Sequence, residues 1–137
     1  MTRINIGVHP SEICDQHLVA EYRELPRLWG LDSRQKPPTR FKLGTGHVLF
    51  CAQYQGTLAD RYTALVGEMR RRGFRVSYPD PPPGAIGGKR MSDNEIQEAR
   101  PIVMERLREK HATMKRPPRW TAANDSTAKS TWYETQT

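Results

Sequence analysis

Thr57-Leu-Ala-Asp-Arg-Tyr-Thr-Ala-Leu-Val-Gly-Glu-Met-Arg-Arg-Arg-Gly73 carries the clearest structural signal in the chain. Leu58, Tyr62, Leu65, Val66 and Met69 recur every three or four residues, the spacing that collects apolar side chains on one face of an α-helix. Thr57 is a candidate N-cap, and Asp60 three residues on makes a variant of the capping box. Arg70, Arg71 and Arg72 fill the last turn, where cations suit the helix dipole, and Gly73 suits the residue just past the end.

Upstream, Ile13, Leu18, Tyr22, Leu25 and Trp29 also recur at helical spacing. They predict a helix from about Glu12 into the high twenties, N-capped by Ser11 and ended or kinked at Pro26, which has no N–H to donate. Residues 1–10 are irregular or extended, because Gly7 and Pro10 oppose an early helix. Residues 30–46 read as loop, with a tight turn at Gly44-Thr-Gly-His. The apolar run Val48-Leu-Phe-Cys-Ala is buried, but its periodicity fits strand and helix equally. Downstream, Pro81-Pro-Pro-Gly marks an ordered surface connector. Ser92 with Glu95 forms a capping box for a third helix, carried by Ile96, Ala99, Val103 and Leu107 and interrupted by Pro101. The expected fold is all-α: a single compact domain over residues 1–137, with three main helices, long loops, and a loosely held tail at 121–137.

Composition narrows the function. Hydrophobic residues make up 36% of the 137, below the roughly 45–50% of typical globular domains, so the core is small. The net charge of +7 favours a polyanionic partner, nucleic acid before an acidic membrane surface. No apolar run approaches the roughly 20 residues that span a bilayer, and no secretion signal is visible, so a cytoplasmic monomer is expected. Cys14 and Cys51 have no metal-type spacing; Cys14, among apolar helix positions, reads as a buried free thiol. His9, His17, His47 and His111 are scattered along the chain, and neither a metal nor a cofactor is expected. His47, beside an apolar run, reads as a structural hydrogen-bonding group. Trp120 and Trp132-Tyr133 could stack on bases, and Trp120 could equally pack on the core.

On the first helix, Gln16, Ala20, Arg23 and Arg27 share a narrow stripe, with Glu24 on its flank. That face presents an amide, two guanidiniums and a carboxylate. Taken by spacing alone, it is also what the solvated side of an ordinary amphipathic helix looks like.

Met1-Thr-Arg-Ile-Asn, followed by Asp15-Gln-His-Leu-Val-Ala-Glu-Tyr-Arg-Glu-Leu-Pro-Arg, resembles the phage endonuclease V family of pyrimidine-dimer DNA glycosylases. Phe41-Lys-Leu-Gly-Thr-Gly-His-Val, Arg72-Gly-Phe, Arg106-Leu-Arg-Glu-Lys, and Arg116-Pro with Trp120 extend the resemblance in the same order along the chain. The resemblance implies that Thr2, after removal of Met1, acts through its α-amino group and that Glu24 is the catalytic carboxylate. It implies that Arg3, Arg23 and Arg27 hold phosphates and lesion, that Gln16 and His17 lie at the DNA surface, and that Arg106 and Lys110 contact DNA from the last helix. The implied partner is damaged double-stranded DNA.

The residue types suit that chemistry. Thr2 is small enough to allow trimming of Met1. A free α-amine titrates near about 7.7–8.0, against about 10.4 for lysine, so far more of it is neutral at pH 7. It can attack the anomeric carbon of a damaged nucleotide, release the base and form an imine, after which the 3′ phosphate is eliminated. Glu24 can steady the cationic sugar and move protons. Two other readings remain open: the same chemistry on a different damaged base, and a non-catalytic nucleic-acid-binding or acidic-partner-binding module.

Overall fold

The computed structural model describes residues 3–31, 36–42 and 45–121. Within them the chain is all-α, as the periodicities predict. The helices are α1 (Asp15–Glu24), α2 (Thr45–Ala52), α3 (Gln55–Arg71), α4 (Pro83–Ile86) and α5 (Asp93–Thr113). Helix α3 is central and packs against α1, α2 and α4. Leu58, Tyr62, Leu65, Val66 and Met69 on α3 are all buried, so the stripe read from the sequence is the core face. Leu18 from α1, Phe50 from α2 and Val103 and Leu107 from α5 complete the same core. Trp132-Tyr133, the rest of the tail beyond Thr121, Gly44 and residues 32–35 lie outside the described residues.

The feature that matters most for the site is the segment 3–8. Ile4, Asn5, Ile6 and Val8 are each under 5% exposed, so this non-helical stretch is enclosed on more than one side. A buried segment outside a helix must find partners for its backbone, and this one does. The Ile4 N–H donates to Nε2 of His47 at 2.7 Å, and the Asn5 N–H donates to Oε2 of Glu21 at 3.2 Å. Gly7 sits at φ +88°, where a Cβ would come within 2.9 Å of the α5 backbone at Arg100, so only glycine lets the segment lie this close to α5.

Several expected boundaries move, each for a tertiary reason. The first helix does not start near Glu12 under a Ser11 cap. Pro10–Glu12 forms a 3₁₀ turn capped by His9, Ile13 and Cys14 are extended, and α1 begins at Asp15. The carbonyls needed to run a helix through this point are already engaged: the Trp120 indole donates to Glu12 O at 3.1 Å and Arg72 donates to Pro10 O at 3.1 Å. At the other end Pro26 does stop the α-helix, and Leu25–Leu28 tightens into a 3₁₀ turn. Val48–Ala52 resolves as helix, and Thr45-Gly-His, expected as part of a tight turn, forms the first turn of α2. Helix α3 starts two residues before Thr57. Thr57 Oγ1 instead accepts the Met91 N–H at 2.7 Å, and Asp60 pairs with Arg90 at 2.8 Å, so both residues of the expected cap tie α3 to the 86–92 connector. The Ser92–Glu95 capping box forms as expected, and α5 runs on through Pro101. Gly73 has φ +88°, as its C′ position requires.

The 117–121 segment is fastened to the start of α1; the tail expected from Thr121 lies, past Thr121 itself, outside the described residues. Gln16 Nε2 donates to Pro117 O at 3.0 Å and its Oε1 accepts the Arg119 N–H at 3.2 Å. Asp15 accepts both the Thr121 N–H and the Thr121 hydroxyl. Trp120 is 3% exposed and packs in the core. Arg72, the last of the three consecutive arginines, is not a surface cation. It lies buried between Asp15 Oδ1 at 2.9 Å and Glu68 Oε2 at 2.7 Å.

Candidate active site

One face of α1, the last turns of α5 and the buried N-terminal segment enclose a cavity of about 230 Å³. Its wall is formed by Arg3 and Asn5 from the N-terminal segment, by His17, Ala20, Glu21 and Glu24 from α1, and by Arg106, Leu107 and Lys110 from α5. Residues 17, 20, 21 and 24 recur at steps of three and one, which is one side of a helix. Residues 106, 107 and 110 do the same on α5.

Glu24 is the exposed-edge acid of this cavity. Its Oε1 is shielded from solvent and accepts no hydrogen bond among the described residues; the guanidinium of Arg27 stands 4.0 Å away. This carboxylate oxygen, with no hydrogen-bond donor among the described residues, shares its wall with Arg3, Arg106 and Lys110. Glu21, three residues before Glu24 in the same wall, is fully partnered. Arg61 grips it in a fork, Nε to Oε2 at 2.8 Å and Nη2 to Oε1 at 3.0 Å, and Asn5 Nδ2 donates to Oε1 at 2.9 Å. Arg61 also donates to Val8 O, and Arg106 donates to Asn5 Oδ1 at 2.6 Å. The result is a chain Arg61–Glu21–Asn5–Arg106 that nails the N-terminal segment to α1, α3 and α5 at once.

Burial with its charge compensation removed is expensive. Glu21→Gln leaves the Arg61 guanidinium, 9% exposed, without its counter-charge. The expected loss is about 3–5 kcal/mol of unfolding free energy, read from urea midpoints. A loss below about 1 kcal/mol would show that the network is not a structural anchor.

His47 stands under Ile4 as the acceptor for its N–H, in keeping with the structural reading of this residue. Burial, helped by the positive charge of Arg106, pushes its pKa down to about 4 from an ordinary 6.5. The neutral imidazole therefore belongs to the folded state, and protonation favours the unfolded chain. The sign follows: this contribution is complete above pH 6.5 and is lost as pH falls toward 4. Urea midpoints should fall between pH 6.5 and 5 in the wild type and fall less in His47→Gln. Equal slopes in the two proteins would assign the acid sensitivity to other groups.

His17 in the cavity wall is also pushed down to about 4, first by burial and then by the positive charge of His111, Arg106, Arg3 and Lys110. Its ring lies parallel to that of His111, 10° between planes and 5.5 Å between centroids. The two histidines, far apart in sequence, thus meet across α1 and α5, and Cys14 joins them.

The fold brings Arg3, His17, Glu24, Arg106 and Lys110 together in one cavity wall. It does not bring Gln16, Arg23 or Arg27 into the cavity. Gln16 is occupied by the 117–119 backbone. Arg27 is exposed beside Glu24. Arg23 lines a separate groove of about 620 Å³ on the other flank of α1, with Tyr22, Trp29, Tyr62 and Tyr78. Thr2 lies outside the described residues. Asn5, Glu21 and Arg61 were not singled out by sequence. The available signal was the place of Glu21, three residues after Leu18 and four before Leu25, where an acid on the apolar stripe must have a buried partner.

Fold and cavity define a small helical protein in which the Glu24 carboxylate shares a cavity wall with Arg3, Arg106 and Lys110, cations of the kind that meet phosphates. The sequence model described as pyrimidine dimer DNA glycosylase matches residues 1–81, more than half of the chain, and the protein belongs to that family. It is therefore a DNA-repair enzyme, a pyrimidine-dimer glycosylase whose partner is damaged DNA. The matched stretch holds Arg3, His17 and Glu24, whereas Arg106, Lys110 and His111 on α5 lie beyond it. Among the described residues no helix is long and apolar enough to cross a membrane.

Proposed function

We propose that the protein excises cyclobutane pyrimidine dimers from duplex DNA and then cleaves the strand at the same nucleotide, through an imine formed by the α-amino group of Thr2 after Met1 is removed. The observation that carries this reading is the anchoring of residues 3–8: a segment held by His47, Glu21 and Arg106 delivers Arg3 to the wall of the cavity that contains Glu24. The amine would then lie one residue further on.

In the proposed sequence the amine nitrogen bonds to C1′ of the damaged nucleotide as the bond from C1′ to the base breaks, and the base leaves with the bonding electrons and gains a proton. Ring opening gives a protonated imine. Loss of a proton from C2′ and departure of the 3′ phosphate break the strand, and water then frees the amine. Glu24 stabilises positive charge on the sugar and carries protons. Arg3, Arg106 and Lys110 hold backbone phosphates around the cavity, with His17, neutral at pH 7, in its wall. Arg23 and Arg27 hold the strand outside it. The aromatic groove beside Arg23 suits a base displaced from a kinked duplex, since successive rings can stack on it. Gln16 acts indirectly, by holding the 117–119 segment. The protein acts as a monomer and as one domain.

Single-lesion duplexes, incubated with protein that starts at Thr2, test the substrate. Nicking is expected at dimers and at plain abasic sites, with a covalent adduct under borohydride. Nicking at abasic sites alone would sink the dimer assignment and keep the imine. No nicking with tight binding would leave a binding module.

Binding itself should depend steeply on salt. Arg3, Arg23, Arg27, Arg106 and Lys110 offer five cations, and at about −0.9 per phosphate contact the slope of log affinity against log salt should be roughly −4 to −5. A slope near zero would mean that this charge does not meet DNA.

A further inference from the structure

We propose that Cys14, His17 and His111 form a binding site for a soft divalent cation, with Zn²⁺ the natural occupant, that bolts the start of α1 to the last turn of α5. Each of the three residues offers one ligand atom, and these atoms lie within 4.8 Å of one another. Tetrahedral zinc needs bonds of about 2.3 Å to sulfur and about 2.0–2.1 Å to nitrogen, so its ligands stand about 3.3–3.6 Å apart. Closing the difference asks for about an ångström of side-chain movement, which His17 and His111, both only half-buried, can supply.

The placement is more than proximity. Cys14 is the N-cap of α1 and His17 its third residue, the pair of positions whose side chains a capping box also brings together. The backbone there is fixed from both directions: Asp15 and Gln16 are bound to the 117–121 segment, and the extended conformation of Cys14 is set by the 3₁₀ turn before it. His111 comes from the other helix and is held by the edge of the Trp120 ring at 5.8 Å. The rings of His17 and His111 lie nearly parallel with centroids 5.5 Å apart, so a tilt of one ring about its side-chain bonds brings both in-plane lone pairs onto one ion. His17 further presents a nitrogen, Nδ1, that is closed off from solvent and takes no hydrogen bond among the described residues. A buried lone pair or N–H without a partner is costly unless something else satisfies it.

The chemistry selects the ion. One thiolate and two imidazoles suit Zn²⁺, Co²⁺ or Cu⁺ and not the hard, oxygen-seeking Mg²⁺ or Ca²⁺. Arg3, Arg106 and Lys110 oppose any cation at this place, and the sulfur ligand offsets one unit of that charge. On binding, the Cys14 S–H bond gives up its proton to solvent as the metal–sulfur bond forms; nothing is oxidised or reduced. The fourth position is left to water, because three protein ligands are on hand. The site shares His17 with the wall of the Glu24 cavity, but its readout is metal binding, which needs no imine chemistry.

Metal-stripped full-length protein should bind one Zn²⁺ per chain in a chelator competition, and Co²⁺ should produce the near-ultraviolet absorption of a cobalt–thiolate bond. Cys14→Ala should abolish that absorption. His111→Gln should weaken Zn²⁺ by more than about 100-fold, beyond what loss of an outer-shell partner causes. Mg²⁺ should leave the thermal midpoint unchanged where Zn²⁺ raises it. His111 is on a half-exposed last turn, so His111→Gln carries the test even where Cys14→Ala fails to fold. Absence of Zn²⁺ binding by the wild type, binding unaltered in His111→Gln, or an equal response to Mg²⁺ would each overturn the site.

Discussion

Protein carrying one additional residue ahead of Thr2 will bind duplex DNA and give no borohydride adduct at an abasic site. The extension displaces the α-amine by about 3.3–3.6 Å along the chain. Attack requires reacting atoms near about 3–3.5 Å, and a 1 Å error alone can cost about 10²-fold. The chain leading to the amine is fixed at Ile4 and Asn5, which are pinned to His47, Glu21 and Arg106. Adduct formation should therefore fall at least about 100-fold, while binding, which depends on side-chain cations, changes little. Thr2→Ala retains the amine and should retain the adduct. Trapping of the extended protein at the normal rate, with the crosslink on a lysine, would end the assignment.

Glu24→Gln is expected to lower excision by about 10²–10⁴-fold, the usual worth of one acid–base group, and to leave DNA affinity equal or higher. The affinity follows from charge: the substitution removes a carboxylate from a wall it shares with Arg3, Arg106 and Lys110. Loss of folding does not confound the test, since the side chain of Glu24 is not part of the Arg61–Glu21–Asn5–Arg106 chain. A Glu24→Gln protein that excises dimers like the wild type would return this carboxylate to a structural role.

The sequence made some parts of this architecture readable and hid others for identifiable reasons. The α3 stripe and the Ser92–Glu95 cap are local patterns, and local patterns survive folding. The start of α1 was unreadable because Glu12 O and Pro10 O are taken by Trp120 and Arg72, residues 108 and 62 positions away. Thr57 is a good N-cap residue in isolation, yet the Met91 N–H claims its hydroxyl. Glu24, His17 and Arg106 were named through resemblance. The anchor that gives them a common cavity was not, because its four members come from four separate segments. The meeting of His17 with His111 was hidden for the same reason: two histidines 94 residues apart in number become neighbours only when α1 and α5 pack.

The distance along the chain between the partners of the N-terminal segment has a consequence for when the enzyme becomes active. Asn5 is bound to Arg106 across 101 residues, and Gly7 to Arg100 across 93. Contacts so remote are made late, after the loop-closure entropy of most of the chain has been met. A chain that stopped at residue 81 would contain the whole family-matched stretch and still lack the wall that α5 provides. A form in which α5 has not docked therefore lacks the part of the cavity wall that Arg106, Leu107 and Lys110 supply.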